Sequence, residues 1–342
     1  MIENTILRNK IDSIFNKIRN QKSDAWNLNI HRWDWSCGVG LYGLLKAFEA
    51  TGDEKYIHFI RQWFDQNGPN HVFGSVNNVA PANAVLLLAE NSEDPQYEKV
   101  CQAYADWCTK TALRTSNDGL AHVWEGGDED YKNQLWIDTM FMAGIYLLKY
   151  GRYKNDPAII EEALHQYGLH MGCLLDPQSE LFYHAYHCVN KTFLGEHWGR
   201  GNGWMVVSLV ELLQTLKDSA YDLDRTISVF KRVMEKAYSL RLENGMLRTL
   251  LLVEESYPET TCTALFGYVA WKGYTLGILD ERFLEWGKTI VETIADFVSE
   301  DGNILFCSYG TNPESKEIYM TRPCDQSLYA DGIVMMLLSL GL

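Results

Sequence analysis

No run of eighteen apolar residues occurs in the 342-residue chain, so nothing in it reads as a membrane span. CxxC pairs are also missing. Eight cysteines (Cys37, Cys101, Cys108, Cys173, Cys188, Cys262, Cys307 and Cys324) are scattered, most inside apolar runs such as EKVCQAYADWC. That pattern predicts buried free thiols in a reducing, cytoplasmic setting rather than disulfides or a zinc site. Positive charge is scarce. Thirty Lys and Arg face 45 Asp and Glu, for a net charge of −15, which argues against nucleic acid or an anionic membrane as partner. The opening MIENTILRNKIDSIFNKIRN lacks the apolar core of a signal peptide and reads as a first helix. No Pro/Ser-rich linker divides the chain, so one domain over 1–342 is expected, as a monomer or homodimer.

What is present is helical periodicity almost throughout, with little strand-like alternation. GLYGLLKAFEATGDEKYIHFIRQWFDQN reads as an apolar helix, a polar turn and an amphipathic helix, and the same pattern recurs three more times. A helix apolar nearly all round is an inner helix, and one with a wet face is an outer helix. Inner helices near 37–50, 80–90, 134–149, 202–216, 260–275 and 325–341 make six, hence an all-α (α/α)6 barrel. SNDGLAHVW (116–124), DPQSELFYHAY (176–186), LENGMLRTL (242–250) and SEDGNILFCSYG (299–310) predict brief hairpins capping one end.

In such a barrel the segments before the inner helices meet at one mouth. They read HRWDWSCG, VNNVAPAN, YKNQLWIDTM, GEHWGRGNGW, YPETTCTA and MTRPCDQS, rich in Trp, His, Arg, Asn and Asp. Aromatic faces interleaved with hydrogen-bonding groups suit a sugar. Asp138 stands out, because LWIDTMFMAGIYLL has hardly another polar side chain. Placed a turn into a helix, it is too deep to be a cap. Its burial predicts a raised pKa and a general-acid role; the alternative is a helix-start carboxylate favoured by the helix dipole.

WGRGNGW (198–204) offers Arg200 as a carboxylate-binding fork and Trp198 and Trp204 as stacking faces, with glycines that let backbone approach a ligand. The bland alternative is a glycine-rich helix start with Arg200 paired to a structural acid. The motif is no phosphate cradle, since no strand precedes it and no Lys-Ser/Thr follows. Trp33 and Trp35 either wall a sugar site or plug the barrel. His184 is expected to contact substrate. His184, His187 and His197 show no helical zinc spacing, so no metal or organic cofactor is expected. Asp325 and Asp331 are either second carboxylates or partners of Arg322.

NQLWIDTMFMA (133–143), WGRGNGW (198–204), ETTCTALFGY (259–268), LFYH (181–184) and WDWSCGVGLYGLLKA (33–47) together resemble the unsaturated glucuronyl and rhamnogalacturonyl hydrolases, glycoside hydrolase families 88 and 105, more nearly the latter. The resemblance implies an (α/α)6 barrel that removes a Δ4,5-unsaturated uronate from the non-reducing end of a lyase-made oligosaccharide by hydrating the C4=C5 bond. It places the acid/base on Asp138, and Trp198, Arg200 and His184 around the uronate, with Trp35 stacked on its ring. Asp34, Asn77, Lys132, Asn202 and Trp204 complete the expected substrate contacts. One departure stands out: where many relatives carry an aspartate before the second inner helix, this chain has Asn77. An amide holds a hydroxyl but shares no proton. Three other readings remain open. One is an inverting glycosidase pairing Asp138 with Asp34, Glu125 or Asp325. The others are a catalytically silent sugar-binding barrel and an epimerase with paired mouth histidines.

Overall fold

The computed structural model of the chain describes residues 2–122 and 129–342. Helix α1 (Asn4–Arg19) lies on the outside. Inner–outer pairs follow: α2 (Trp35–Thr51) with α3 (Glu54–Asn67), then α4 (Ala82–Glu90) with α5 (Pro95–Asp106). The third pair is α6 (Ile145–Lys154), entered through a π-helical turn at Met140–Gly144, and α7 (Pro157–Leu174). Next come α8 (Gly199–Leu216) with α9 (Asp224–Ser239), and α10 (Thr260–Thr275) with α11 (Glu281–Asp296). The short α12 (Lys316–Thr321) precedes the last inner helix, α13 (Leu328–Leu338).

Each inner helix packs on the next, from α2 through α4, α6, α8, α10 and α13 back to α2, and α1 covers α13. The ring is closed, and the fold is an (α/α)6 barrel. Closure between α2 and α13 is backbone against backbone. A Cβ on Gly43 would strike the backbone of Gly332, so neither helix tolerates a side chain there.

Four of the outer helices, α3, α5, α7 and α11, start where the sequence supplies a cap. Asp53, Asp94, Asp156 and Asp280 each accept a backbone N–H of the first turn, the middle two followed by Pro at the first helical position. The strands are few. β1 (Gln134–Trp136), β4 (Ala185–His187) and β5 (Thr192–Leu194) form an antiparallel sheet in the order β1-β4-β5. β2 (Leu175–Asp176) and β3 (Leu181–Phe182) form the hairpin expected in DPQSELFYHAY. Of the other three expected hairpins, 299–310 and the described part of 116–124 close on a single bridge, Val298 to Ile304 and Arg114 to Leu120, and 242–250 on a hydrogen-bonded turn. Val123 and Trp124 lie outside the described residues.

One inner helix departs from expectation. Residues 134–136 are strand, because they pair with β4 about fifty residues later, and the helical path starts only at Asp138. No helix among the described residues is long and apolar enough to cross a membrane. All eight cysteines are free, six of them buried.

Candidate active site

Register in the small sheet brings the key pair together. Trp136 stands opposite Ala185, and beyond it the Ile137 N–H donates to the His184 carbonyl at 2.9 Å. The next residue along, Asp138, therefore lies beside His184, with Oδ2 and Nε2 3.2 Å apart. His184 is fully buried, whereas the Asp138 side chain keeps 15% exposure toward a cavity. On its other side His184 stacks on Trp198 at 4.4 Å and meets the edge of Trp136 at 5.6 Å. Its Nδ1 lies 2.6 Å from the Tyr319 hydroxyl.

This placement corrects the sequence reading of Asp138. It sits in the first turn of its helix, not a turn inside it. Burial opposes its ionisation, but the His184 contact and the neighbouring imidazoles outweigh that, so its carboxyl is held below the usual carboxylate range rather than above it. His122 is the second imidazole. It stacks flat on Trp136 at 4.6 Å and bonds Thr139 Oγ1 at 2.9 Å, and burial pushes its pKa down to about 4.

The cavity, of about 250 Å³, is walled by Trp26, Trp35, Trp136, Trp198, Trp204 and Tyr309, with Asn77, His122, Asp138, Arg200 and Arg322 among its polar groups. Aromatic walls with a few aimed polar groups are what a sugar ring requires. Trp35 is held by stacking on Tyr329 at 4.7 Å. Asp138 is the one carboxyl group among the described lining residues.

Four expected contacts lie elsewhere. Asp34 caps α2 through the Trp35 N–H at 2.8 Å and pairs with Arg32 at 3.2 Å, so its oxygens serve the helix end. Asn202 is fully buried, its amide clamped to Phe182 N–H, Phe182 C=O and Trp198 C=O. Lys132 sits in the turn before β1, outside the lining. His184 touches Asp138 rather than the cavity. Of the acids weighed as partners for Asp138, Asp325 is exposed and bonds the Gln326 N–H, and Glu125 lies outside the described residues.

Arg200 lines the cavity, but its fork is turned to protein. Nη1 donates to Ser308 C=O at 3.0 Å, Ser308 Oγ at 2.7 Å and Thr261 Oγ1 at 3.2 Å, and Nη2 to Tyr309 C=O at 2.9 Å. Glu259, buried and bonded to the Ser308 N–H, completes this anchor at 3.8 Å. Only Nε of Arg200 is left buried without a partner. The motif's glycines face Cys262, Ile137 and Leu265, packing α8 rather than admitting a ligand. Arg322 is different. It lines the cavity, its Nε reaches Thr311 Oγ1 at 3.4 Å, and its Nη atoms meet no protein acceptor among the described residues. It pairs with neither Asp325 nor Asp331, which bonds Lys17 at 2.7 Å.

Tyr309–Asn312, Trp26, His122, Trp136 and Tyr319 were not singled out from the sequence. The Tyr309–Asn312 wall follows the SEDGNILFCSYG turn, and Trp136 lies inside the NQLWIDTMFMA motif, so both were within reach of it.

Residues 10–339 match the family Glycosyl Hydrolase Family 88. The chain belongs to that family. It is 27% identical over 283 residues to the unsaturated rhamnogalacturonyl hydrolase YesR of Bacillus subtilis, covering 82% of this chain and 80% of that protein. An unsaturated 3S-rhamnoglycuronyl hydrolase of Formosa agariphila is 24% identical over 311 residues, covering 82% and 78%. In fold, the family 88 barrel superposes on a possible GH105 member from Salmonella enterica with a TM-score of 0.93 at 24% identity, covering 100% of this chain and 94% of that one.

Proposed function

We propose that this family 88 barrel removes a Δ4,5-unsaturated uronic acid from the non-reducing end of lyase-generated oligosaccharides, of rhamnogalacturonan or a related glycan. The activities for which its relatives are named support that substrate class. The observation that carries the reading is the one carboxyl group among the described lining residues, Asp138, at the wall of an aromatic cavity that also presents the Arg322 guanidinium, whose Nη atoms meet no acceptor among the described residues. We place the whole chain in one catalytic unit, working in the cytoplasm as a monomer or homodimer without a cofactor.

Held below the usual carboxylate range by its neighbours, Asp138 is set to be ionised. A bound uronate brings a second negative charge into the same small cavity and displaces water, and both raise the carboxyl's affinity for a proton. Asp138 then gives that proton to C4 of the C4=C5 bond, and the ring oxygen shares the positive charge left at C5. The carboxylate, now a base, takes a proton from the water that adds at C5. The resulting hemiketal opens and releases the next sugar. Asn77 lines the cavity as a hydrogen-bonding amide, so Asp138 handles both proton transfers alone.

Loss of the ultraviolet absorbance of the unsaturated bond across a panel of lyase-digested polysaccharides tests this. Turnover of at least one digest is expected. Inertness toward every digest, with hydrolysis of saturated chromogenic glycosides, would sink it. Arg322 and Arg200 separate further. Arg322→Gln should weaken kcat/KM about tenfold or more on the acid substrate and far less on its methyl ester, since a charge-assisted contact is worth roughly 1.5–3 kcal/mol. Arg200→Lys should weaken both substrates alike, because it loosens the Ser308–Tyr309 wall rather than a substrate contact.

A further inference from the structure

Tyr319 stands on α12, a helix belonging to neither ring of the barrel, yet its hydroxyl reaches the innermost part of the site. Both it and His184 are buried, at 1% and 0% exposure, so water does not compete for their contact. A neutral imidazole carries one donor and one acceptor nitrogen, and which is which follows from its partners. The phenol oxygen already accepts the Glu314 N–H at 3.4 Å, leaving its own proton to be placed. A carboxylate has no proton to give. For a neutral imidazole one arrangement therefore avoids aiming a lone pair at the carboxylate, although the Nε2–Oδ2 contact is not well aligned. The Tyr319 O–H donates to Nδ1 at 2.6 Å, and the imidazole proton sits on Nε2, 3.2 Å from Asp138 Oδ2. The opposite tautomer would aim a lone pair at the carboxylate.

The backbone makes room for this contact. Gly195 has φ 71°, and a Cβ there would run into the Tyr319 hydroxyl and approach the His184 Cβ to 3.0 Å. Other groups around the pair do not set the tautomer. His122 bonds Thr139, Trp136 and Trp198 present ring carbons, and Arg200 lies on Trp198 with its fork on Ser308 and Tyr309.

We propose that Tyr319 is a positioning residue that holds His184 in its Nε2-protonated tautomer and so fixes the donor facing Asp138. The catalytic consequence rests on the proposed function, whereas the tautomer can be read without substrate. Nitrogen-15 NMR of the imidazoles at neutral pH, with the His184 signals assigned by their absence in His184→Gln, should show the Nε2–H form in the parent protein. Tyr319→Phe should shift them toward a mixture of both forms. The same pattern in parent and variant would overturn the proposal, whatever the protein hydrolyses. On an unsaturated disaccharide, Tyr319→Phe should lower kcat roughly two- to tenfold, the value of one hydrogen bond, and leave KM nearly unchanged. In a His184→Ala background the same substitution should add almost nothing. Equal losses in both backgrounds would mean that Tyr319 acts independently of His184, and would overturn it too.

Discussion

The two mouths of the barrel are built from opposite ends of the same six helices and have little else in common. At the mouth of the proposed site, where the inner helices begin, five of the six aromatic walls are Trp, and Asp138, His122, Arg200 and Arg322 line the cavity with His184 behind Asp138. At the other mouth, where they end, a larger cavity of about 630 Å³ is lined by Lys46, Lys149, Arg152, Lys272, Glu49, Glu90 and Glu211. Its centre is Glu211, 3% exposed, which takes Lys46 and Lys149 at 2.8 Å each and the Tyr268 hydroxyl at 2.7 Å. Burial opposes its ionisation, but the two ammonium groups hold it well below the usual carboxylate range. Size is no guide to the proposed active site here. Helix ends converging at one mouth gather carbonyl oxygens and negative dipole ends, which lysines answer. At its centre Lys46 and Lys149 both pair with Glu211, and one lining atom, Gln214 Oε1, is buried without a partner among the described residues. Around the proposed site, by contrast, Asp138 Oδ2, His184 Nε2, Arg200 Nε and Trp204 Nε1 are buried without a well-aligned one.

If that contrast is right, substitutions at the two ends should fail in different ways. Asp138→Asn should cut turnover on the order of 10²–10⁴-fold while thermal unfolding stays put. A variant of near-parental activity would break the comparison at its active end. Glu211→Ala leaves the buried Lys46 ammonium beside that of half-buried Lys149 and should cost about 3 kcal/mol in denaturant unfolding, with kcat/KM unchanged.

Acid should also attack the two ends in turn. His122 and His170 are buried, and burial brings both down to about 4. Unfolded, they take up protons near the ordinary histidine pKa of about 6.5, so the unfolded chain binds more protons between those values. Stability should therefore fall as pH drops from about 6.5 to 4, by up to about 3 kcal/mol per histidine. Glu211, shifted down, keeps its contribution above the ordinary carboxylate pKa and loses it only in stronger acid. Urea unfolding across this range, repeated with His170→Asn, should show the first phase flattened. The smallest effect belongs to the turns at the closed mouth. Asp156→Ala removes a cap that accepts the Ala158 N–H at 3.0 Å and should cost about 1 kcal/mol with no change in activity.

The parts of this architecture visible in the sequence are those set locally. Apolar runs located the inner helices, and the polar turns with the amphipathic runs after them located outer ones. Trp, Asn77 and Asp138 at the helix starts do line the cavity. What escaped depends on distant partners. Strand pairing across about fifty residues turned 134–136 out of its helix and set His184 against Asp138, and that contact reversed the expected direction of the carboxyl's pKa. Arg200 was taken for a substrate contact because its anchors, Ser308 and Tyr309, lie more than a hundred residues away. Lys46 and Glu211 stand in the sequence as charges inside apolar runs, and only the closed ring makes them partners.

Between the mouths the axis is filled. Trp204 of the cavity wall packs on Phe141 at 4.4 Å, Phe141 on Tyr42 at 5.2 Å, and the ammonium groups of Lys46 and Lys149 lie 5.3 and 5.5 Å from the Tyr42 ring. The barrel is thus a cup with a floor and not a pipe. Whatever enters must back out by the way it came, so a long glycan presents only its tip. Under the proposed reaction the unsaturated unit at that tip is removed and a saturated end remains, so each chain would be shortened by one unit and then leave.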